Sequence, residues 1–145
     1  MLMLLRRPVE LMCLITLHFG PYPPALVPLV HTSFHNAIDF APPQALKNKT
    51  INILAAADGT ILNTGFNSAY GNFIIISHIT PQNLMLTFYC HLEKIKLFRG
   101  SNVLRREKIA TMGTTGISTG KHLHFMLATL GPSGINFIDP EPHFA

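Results

Sequence analysis

Five side chains stand at spacings that could hold a metal ion and use it. His35 and Asp39 are four residues apart, His122 and His124 are two apart, and His91 ends a run typical of a strand. Zinc favours neutral imidazole and carboxylate ligands, and a catalytic zinc site takes three of them and keeps one position for water. Two histidines therefore remain to move protons as general acids or bases. The spacing does not decide which histidine has which task.

The eight histidines are conspicuous because only 12% of the 145 residues are charged, whereas 48% are hydrophobic. Such a composition predicts a packed globular protein. Cys13 and Cys90 lack CxxC spacing, which argues against a thiolate zinc site, and we expect both to be free and buried. We expect the other histidines to be structural or exposed: His18, His31, His78 and His143.

The formal net charge of +4 would suit an anionic partner such as nucleic acid, a membrane surface or a cell wall. The basic residues form small scattered groups, such as Arg6-Arg7, without interleaved aromatic residues, so we predict no nucleic-acid partner. No stretch approaches the roughly 20 apolar residues of a membrane span, so we predict no stable membrane insertion. Because Pro8 and Glu10 interrupt the N-terminal apolar run, we expect the first strand there rather than an export signal.

Frequent glycine and proline and a near absence of helical periodicity predict a mainly β domain. Residues 51–57 and 60–62 flank Asp58-Gly59, which is typical of a hairpin. Further strands are predicted at 73–77, 84–91 and 122–128, and the one short helix at 92–98. These strands must carry the candidate metal ligands.

Even spacing along a strand brings side chains to one face. His122 and His124 are therefore predicted to project together, with the apolar residues that follow each of them turned into the core. His35 and Asp39 share a face in the same way if their segment is extended. Each polar face is backed by an apolar face, as expected for a sheet that presents a site on one side.

The strand that ends at His91 shows the same alternation. It places His91 on the face of Tyr89 and Thr87 and turns Cys90 and Phe88 inward. This strand would bring a third imidazole to the polar face.

These residues lie in an ordered set of motifs that resembles the M23 metallopeptidases, the family of lysostaphin and LytM. The most specific motif is Met112-Gly113-Thr114-Thr115-Gly116-Ile117-Ser118-Thr119-Gly120-Lys121-His122-Leu123-His124-Phe125. The resemblance also rests on Pro8, Ile15-Thr16, Phe19-Gly20, the HxGxD-like His35–Asp39, Ala41-Pro42, Ala56-Ala57-Asp58-Gly59-Thr60-Ile61, Tyr70-Gly71-Asn72, Tyr89-Cys90-His91-Leu92 and Asp139-Pro140. It covers nearly the whole chain.

The resemblance implies a single catalytic domain over residues 1–145, with its core at about 8–145, built as an antiparallel β-sheet with a loop-walled groove of the lysostaphin/LytM, duplicated-hybrid-motif type. It implies that His35, Asp39 and His124 bind one Zn²⁺. His91 and His122 would flank a metal-activated water as general acid and base and stabilise the oxyanion. The implied reaction is hydrolysis of peptide cross-links or stem peptides of bacterial peptidoglycan, in the cell envelope.

Three departures from the family pattern put loop geometry and substrate choice in question. Ala37 replaces the glycine of HxGxD, Tyr22 stands where an arginine usually follows the Phe-Gly turn, and Arg105-Arg106 occupies a region that usually holds a turn glycine. None of them is one of the five site residues.

Three alternative functions remain beside the endopeptidase. The chain could be a non-enzymatic M23-like module that binds cell wall or a partner and regulates other hydrolases. Its metal could be structural, with His31 or His91 as a fourth ligand, or the positive charge could serve nucleic acid. All five site residues are present, which favours the enzyme. The sequence leaves open the cross-link that is cut and the oligomeric state.

Overall fold

The computed structural model describes residues 4–10, 12–30 and 32–145. The described part contains twelve strands: β1 Leu14–Leu17, β2 Gly20–Pro21, β3 Phe34–His35, β4 Ile38–Ala41, β5 Asn52–Leu54, β6 Gly59–Asn67, β7 Gly71–Ile79, β8 Leu84–Ile95, β9 Asn102–Val103, β10 Lys108–Met112, β11 Leu123–Gly131 and β12 Gly134–Ile138. Helix α1 spans Val27–Val30, and short 3-10 segments span Gln44–Leu46 and Glu141–His143. Among the helices in these ranges, none is long and apolar enough to cross a membrane.

One antiparallel sheet organises the chain, in the order β1-β4-β11-β8-β7-β6-β9. Strand β12 pairs with β11, and β10 pairs with both β5 and β8, whereas β2 and β3 form a separate pair. The mainly β, antiparallel architecture predicted from the sequence is confirmed. The central strands β4, β11 and β8 carry most of the candidate site residues.

The main hydrophobic core lies against one face of these central strands. Phe125 stands opposite Ile38 of β4 and Tyr89 of β8, which makes one buried row across three strands. The rings of Tyr89 and Phe125 meet edge to face, with centroids 5.3 Å apart. Burial of each such side chain contributes roughly 1.5–3 kcal/mol. By strand alternation, the smaller cluster of Cys90 and Met126 lies on the opposite face.

A chain of hydrogen bonds crosses the main core. The Ala56 N–H donates to the Tyr89 hydroxyl at 2.9 Å, and that hydroxyl lies 3.1 Å from the Thr87 hydroxyl. Thr87 Oγ1 lies 2.7 Å from His78 Nε2, and His78 Nδ1 lies 2.7 Å from the Asp58 carbonyl oxygen. Since a carbonyl only accepts, Nδ1 carries the hydrogen and Nε2 accepts from Thr87. Burial lowers the pKa of His78, although the bond to Asp58 opposes it, and the ring stays neutral.

The hairpin predicted around Asp58-Gly59 is wrong. Strand β5 pairs with β10, whereas β6 pairs with β7 and β9. The backbone of Ala55 exchanges hydrogen bonds with Glu107 and Arg106, and the Ala56 carbonyl accepts from Arg6. Both edges of this segment are thus occupied, so the turn leads the chain to another part of the sheet instead of folding it back.

The helix predicted at 92–98 is also wrong, because β8 continues through Ile95. Ile95 pairs with Ala110 and Lys94 with Thr111 of β10, and this ladder outweighs any local helical preference. The strands predicted at 73–77 and 84–91 are confirmed within the longer β7 and β8, and β11 begins one residue after the predicted start. The first strand lies in the N-terminal segment, as expected, and both cysteines are free and buried.

Candidate metal centre

A cross-strand row brings the first two candidate ligands together. Asp39 of β4 and Cys90 of β8 both pair with His124 of β11, so the three side chains share a face. His124 Nδ1 lies 2.9 Å from Asp39 Oδ1. The row therefore places an imidazole and a carboxylate in contact although they are 85 residues apart in the sequence.

The third candidate ligand, His35, reaches the same point from β3. Its Nε2 lies 3.3 Å from Asp39 Oδ1 and 3.3 Å from His124 Nδ1. Its Nδ1 donates to the His18 carbonyl at 2.8 Å. That bond fixes the tautomer, because the carbonyl only accepts, and leaves the lone pair of Nε2 toward Asp39 and His124. The predicted shared face of His35 and Asp39 is confirmed.

His35 Nε2, Asp39 Oδ1 and His124 Nδ1 lie at distances that fit a divalent cation of the size of zinc. In the described part of the chain, the group of side chains able to share an ion is His35, Asp39 and His124. Their separations of 2.9, 3.3 and 3.3 Å match the edge of about 3.3 Å of a tetrahedron with zinc–nitrogen bonds of about 2.0–2.1 Å. Two imidazoles and one carboxylate form a donor set that zinc accepts, and three ligands leave a fourth position open.

Asp39 is held in its ionised form. Burial raises the pKa of this carboxyl, but its contacts with the imidazoles of His124 and His35 outweigh burial and lower the pKa below its ordinary range. A carboxylate must be deprotonated to bind a metal, so this shift favours metal binding.

His91 reaches the site through an irregular backbone. Its φ is +62°, in the left-handed region that a side chain other than glycine rarely adopts. The ladder between β7 and β8 also shifts register there, since Asn72 pairs with Leu92 and Ile74 with Tyr89. The predicted face of His91 is therefore wrong: Tyr89 lies in the core, and the bulge turns His91 to the face of Cys90.

Backbone carbonyls orient His91. Its N–H donates to Tyr70 O at 2.7 Å, and its ring Nδ1 donates to Thr115 O, also at 2.7 Å. The ring centroid lies 4.7 Å from that of His122 and 5.8 Å from that of His124. Burial is the largest of the causes that lower the pKa of His91 to about 4, so the ring is neutral with an unprotonated Nε2.

His122 precedes β11 and points to the same side as His124, as predicted, while Leu123 and Phe125 are buried in the core. Its Nδ1 lies 2.8 Å from Gly120 O and 3.2 Å from Ser118 Oγ. Its Nε2 lies 4.0 Å from Asp39 Oδ2. His91 and His122 thus have the same arrangement, in which a loop carbonyl holds Nδ1 and leaves Nε2 available.

Two tyrosines pack against the candidate ligands, and the sequence did not single them out as site residues. The Tyr22 ring lies 5.2 Å from the His35 ring, and the Tyr70 ring is stacked on that of His124 at 5.9 Å. Burial, then the charges of Asp39 and Tyr70, raise the pKa of Tyr22. Two features of the sequence could have indicated these tyrosines: Tyr22 departs from the family pattern, and Tyr70 stands beside a turn glycine.

The other two departures are accommodated locally. Ala37 is buried against Cys90 and Met126, and its φ is not positive, so it does not require a glycine. Arg106 adopts a φ of +71° itself, the conformation that a turn glycine adopts without strain. Neither departure displaces a candidate ligand.

The remaining histidines agree with a structural or exposed role where the structure describes them. His18 is exposed and lies 3.1 Å from Glu141, His78 belongs to the hydrogen-bonded core chain, and His143 has an unpartnered buried Nδ1. His31 lies outside the described residues. The group that could share a metal does not include His91 as a fourth ligand.

An antiparallel β domain with clustered candidate ligands and two further imidazoles beside them is the arrangement of a metallopeptidase. The chain belongs to peptidase family M23, whose family model matches residues 33–137. This confirms the resemblance drawn from the sequence motifs.

Two curated relatives are enzymes by name. The DD-carboxypeptidase/endopeptidase Mpg of Neisseria meningitidis is 38% identical over 107 residues, which cover 73% of this chain and 23% of that protein. Peptidoglycan DD-endopeptidase ShyA of Vibrio cholerae is 35% identical over 97 residues, which cover 67% of this chain and 21% of that protein. The chain thus spans less than a quarter of the length of these relatives.

Two solved structures share the fold. A zinc containing peptidase from Vibrio cholerae aligns with a TM-score of 0.74 and 29% identity, over 94% of this chain and 39% of that one. The catalytic domain of lysostaphin from Staphylococcus simulans aligns with a TM-score of 0.68 and 28% identity, over 87% of both chains. The predicted lysostaphin-like fold is confirmed.

Proposed function

We propose that this chain is a zinc-dependent endopeptidase that hydrolyses peptide cross-links or stem peptides of peptidoglycan in the cell envelope. The observation that carries the proposal is the convergence of His35, Asp39 and His124 within 3.3 Å of one another, with the imidazoles of His91 and His122 beside them. The names of the curated relatives and the positive net charge support a cell-wall substrate.

His35, Asp39 and His124 would hold one zinc ion. When bound, zinc acts as a Lewis acid that lowers the pKa of a water and polarises the peptide carbonyl. The carbonyl of His18 holds the His35 ring in position, and stacking by Tyr70 does the same for His124. These contacts orient the ligands before the substrate arrives.

His91 and His122 would move the protons. Each keeps Nδ1 on a loop carbonyl and presents Nε2, so either ring can accept a proton from the attacking water. The ring that gains the proton can donate a hydrogen bond to the oxyanion and then pass the proton to the leaving amine. Since positive charge on His122 lowers the pKa of His91, the pair favours one proton at a time.

Digestion of purified peptidoglycan with zinc-loaded protein, followed by mass spectrometry of the fragments, tests the proposal. We expect cross-linked dimers to fall to monomers only with zinc and an intact His122, and a chelated sample and His122→Ala to be inactive. His18→Ala is the matched control, because it removes an exposed imidazole that contacts Glu141 rather than the site. Zinc binding without cleavage of any cross-link chemistry would contradict the enzyme and favour the regulatory module.

A further inference from the structure

We propose that a pocket beside the metal centre is a subsite for a free carboxylate of the substrate peptide, with Lys121 as its cationic anchor. The proposal rests on the proposed endopeptidase activity and deepens it. It assigns the enzyme to peptides with a free carboxylate on a residue next to the scissile bond, rather than to uncharged bridges of glycine.

The pocket opens directly on the candidate centre. Its volume is about 240 Å³, and it is lined by residues that include Thr16, Asp39, Thr119, Lys121 and His122. Asp39 is a candidate ligand and His122 a candidate proton carrier, so a group in this pocket lies within one residue of the reacting bond. The volume is below the roughly 300–1,000 Å³ of a typical ligand pocket and suits a single amino-acid residue.

Lys121 supplies a fixed positive charge in the pocket wall. It is partly buried, and its ammonium donates a hydrogen bond to the Lys49 carbonyl. An ammonium has three donors, so this bond leaves two for a ligand. The tether also reduces the side-chain entropy that a free lysine would lose on binding.

No carboxylate in the described ranges forms a salt bridge with this ammonium. The charges of Glu10 and Lys121 both act on the pKa of Cys13, so Glu10 is the nearby acidic residue to consider. Its Oε1, however, accepts a hydrogen bond from Asn52 Nδ2 at 2.7 Å. Asp39 is the acidic residue of the pocket wall, and its Oδ1 faces the imidazoles of His35 and His124. The ammonium of Lys121 is therefore not engaged in a salt bridge within the described ranges and can contact a carboxylate of the substrate.

The other polar groups of the pocket suit a carboxylate as well. The hydroxyl of Thr16 makes only a long bond of 3.4 Å to Asp39 O, so it can turn toward a ligand oxygen. Thr119 adds a second hydroxyl at the wall. One ammonium and two hydroxyls can satisfy the two oxygens of a carboxylate.

The test is binding and cleavage of two synthetic peptides that differ only in a carboxylate or a carboxamide beside the scissile bond. Calorimetry uses zinc-loaded His91→Ala, which keeps the pocket, and cleavage uses zinc-loaded protein with His91 intact. We expect the carboxylate peptide to bind about tenfold more tightly, a difference of about 1.4 kcal/mol. Lys121→Met should remove that preference without weakening binding of the carboxamide, and Lys121→Arg should keep part of it.

Lys49→Met is the matched control, since it removes one nearby charge but leaves the carbonyl that tethers Lys121. The subsite would be overturned if the unmodified pocket bound both peptides equally. It would also be overturned if Lys121→Met weakened the binding of both peptides to the same extent. If the carboxylate preference depends on Lys121 but neither peptide is cut, the subsite stands and the endopeptidase proposal fails. If both peptides are cut equally well, the subsite fails and the endopeptidase stands.

Discussion

The two halves of the candidate centre are built in different ways. Asp39 and His124 stand opposite each other in the ladder of β4 and β11, so regular strand geometry sets their distance. His91 lies at a bulge with a left-handed φ, and His122 lies in a loop, so irregular backbone and loop carbonyls set their positions. Metal binding should therefore depend on the sheet and proton transfer on the loops, so mutations should separate the two.

The largest effect is expected on the sheet side. Asp39→Ala removes the carboxylate of the ligand group and leaves the ladder backbone in place. Activity should fall by at least about a thousandfold, because the Lewis-acid contribution is worth several kcal/mol and each 1.4 kcal/mol is about tenfold. Zinc content, measured by mass spectrometry of the desalted protein, should fall in parallel. Retention of a full equivalent of zinc would place the metal elsewhere.

On the loop side, His91→Ala and His122→Ala should leave zinc content unchanged. We expect peptidase activity to fall by roughly a hundredfold to ten-thousandfold in each, since general acid–base catalysis contributes about that much. Zinc titration and initial rates on the same preparations separate the two halves of the site. Loss of zinc in His91→Ala would mean that His91 is a ligand, as in the structural-metal alternative.

Gly71→Ala would break the support of His91 without changing any site residue. Gly71 has φ +65°, and a Cβ there would collide with Thr115, whose carbonyl holds His91 Nδ1. We expect about a tenfold to hundredfold loss of activity with unchanged zinc affinity, as for other supporting contacts. Gly100→Ala is the matched control, because Gly100 has φ +90° but open space around its Cβ position. Similar losses of activity in both variants would refute the role of Thr115.

The core beneath the sheet side should make stability depend on pH through His78. Burial lowers the pKa of His78 below the ordinary 6.5, so the unfolded chain binds a proton more readily than the folded chain. The stability that the neutral His78 ring contributes is therefore fully present above pH 6.5 and is lost as the pH falls below that value. The urea concentration at the unfolding midpoint should decrease as the pH is lowered from 7 to 5. The substitution His78→Asn should weaken this decrease. An unchanged slope would mean that His78 binds protons equally in the folded and unfolded states.

The smallest effect is expected at a turn that contributes no residue to either half of the site. Arg106 adopts φ +71°, which costs a residue other than glycine about 1–2 kcal/mol, partly offset by the entropy of an unfolded glycine. Arg106→Gly should therefore raise the free energy of unfolding by about 0.5–1 kcal/mol without changing activity. Arg105→Gly, at a position without a positive φ, should lower it. Chemical denaturation of the two variants distinguishes these outcomes.

Most of the sheet side could be predicted from the sequence. Alternation placed His35 with Asp39, and His122 with His124, because strands impose a period of two on side chains. The contacts of Asp39 with His124 required the pairing of β4 with β11, which no local pattern encodes. The family resemblance supplied the expectation that these residues meet.

The loop side could be predicted only in part. The alternation rule placed His91 with Tyr89, and it failed because a bulge and a left-handed φ reset the faces. The hairpin at Asp58-Gly59 failed for a related reason: distant segments occupy both edges of the strand before it. Tyr22 and Tyr70 were missed because their contacts with the ligands depend on how the β2–β3 pair and the turn before β7 are placed.

The distance in sequence between Asp39 and His124 has a consequence for biosynthesis. The last ligand of the group lies in β11, so a growing chain must be extended beyond residue 124 before the ligand set can close. Any shorter intermediate carries only His35 and Asp39, two of the three proposed ligands and too few for a catalytic zinc site. Completion of the proposed metal centre is thereby delayed until nearly the whole sheet is available to hold it.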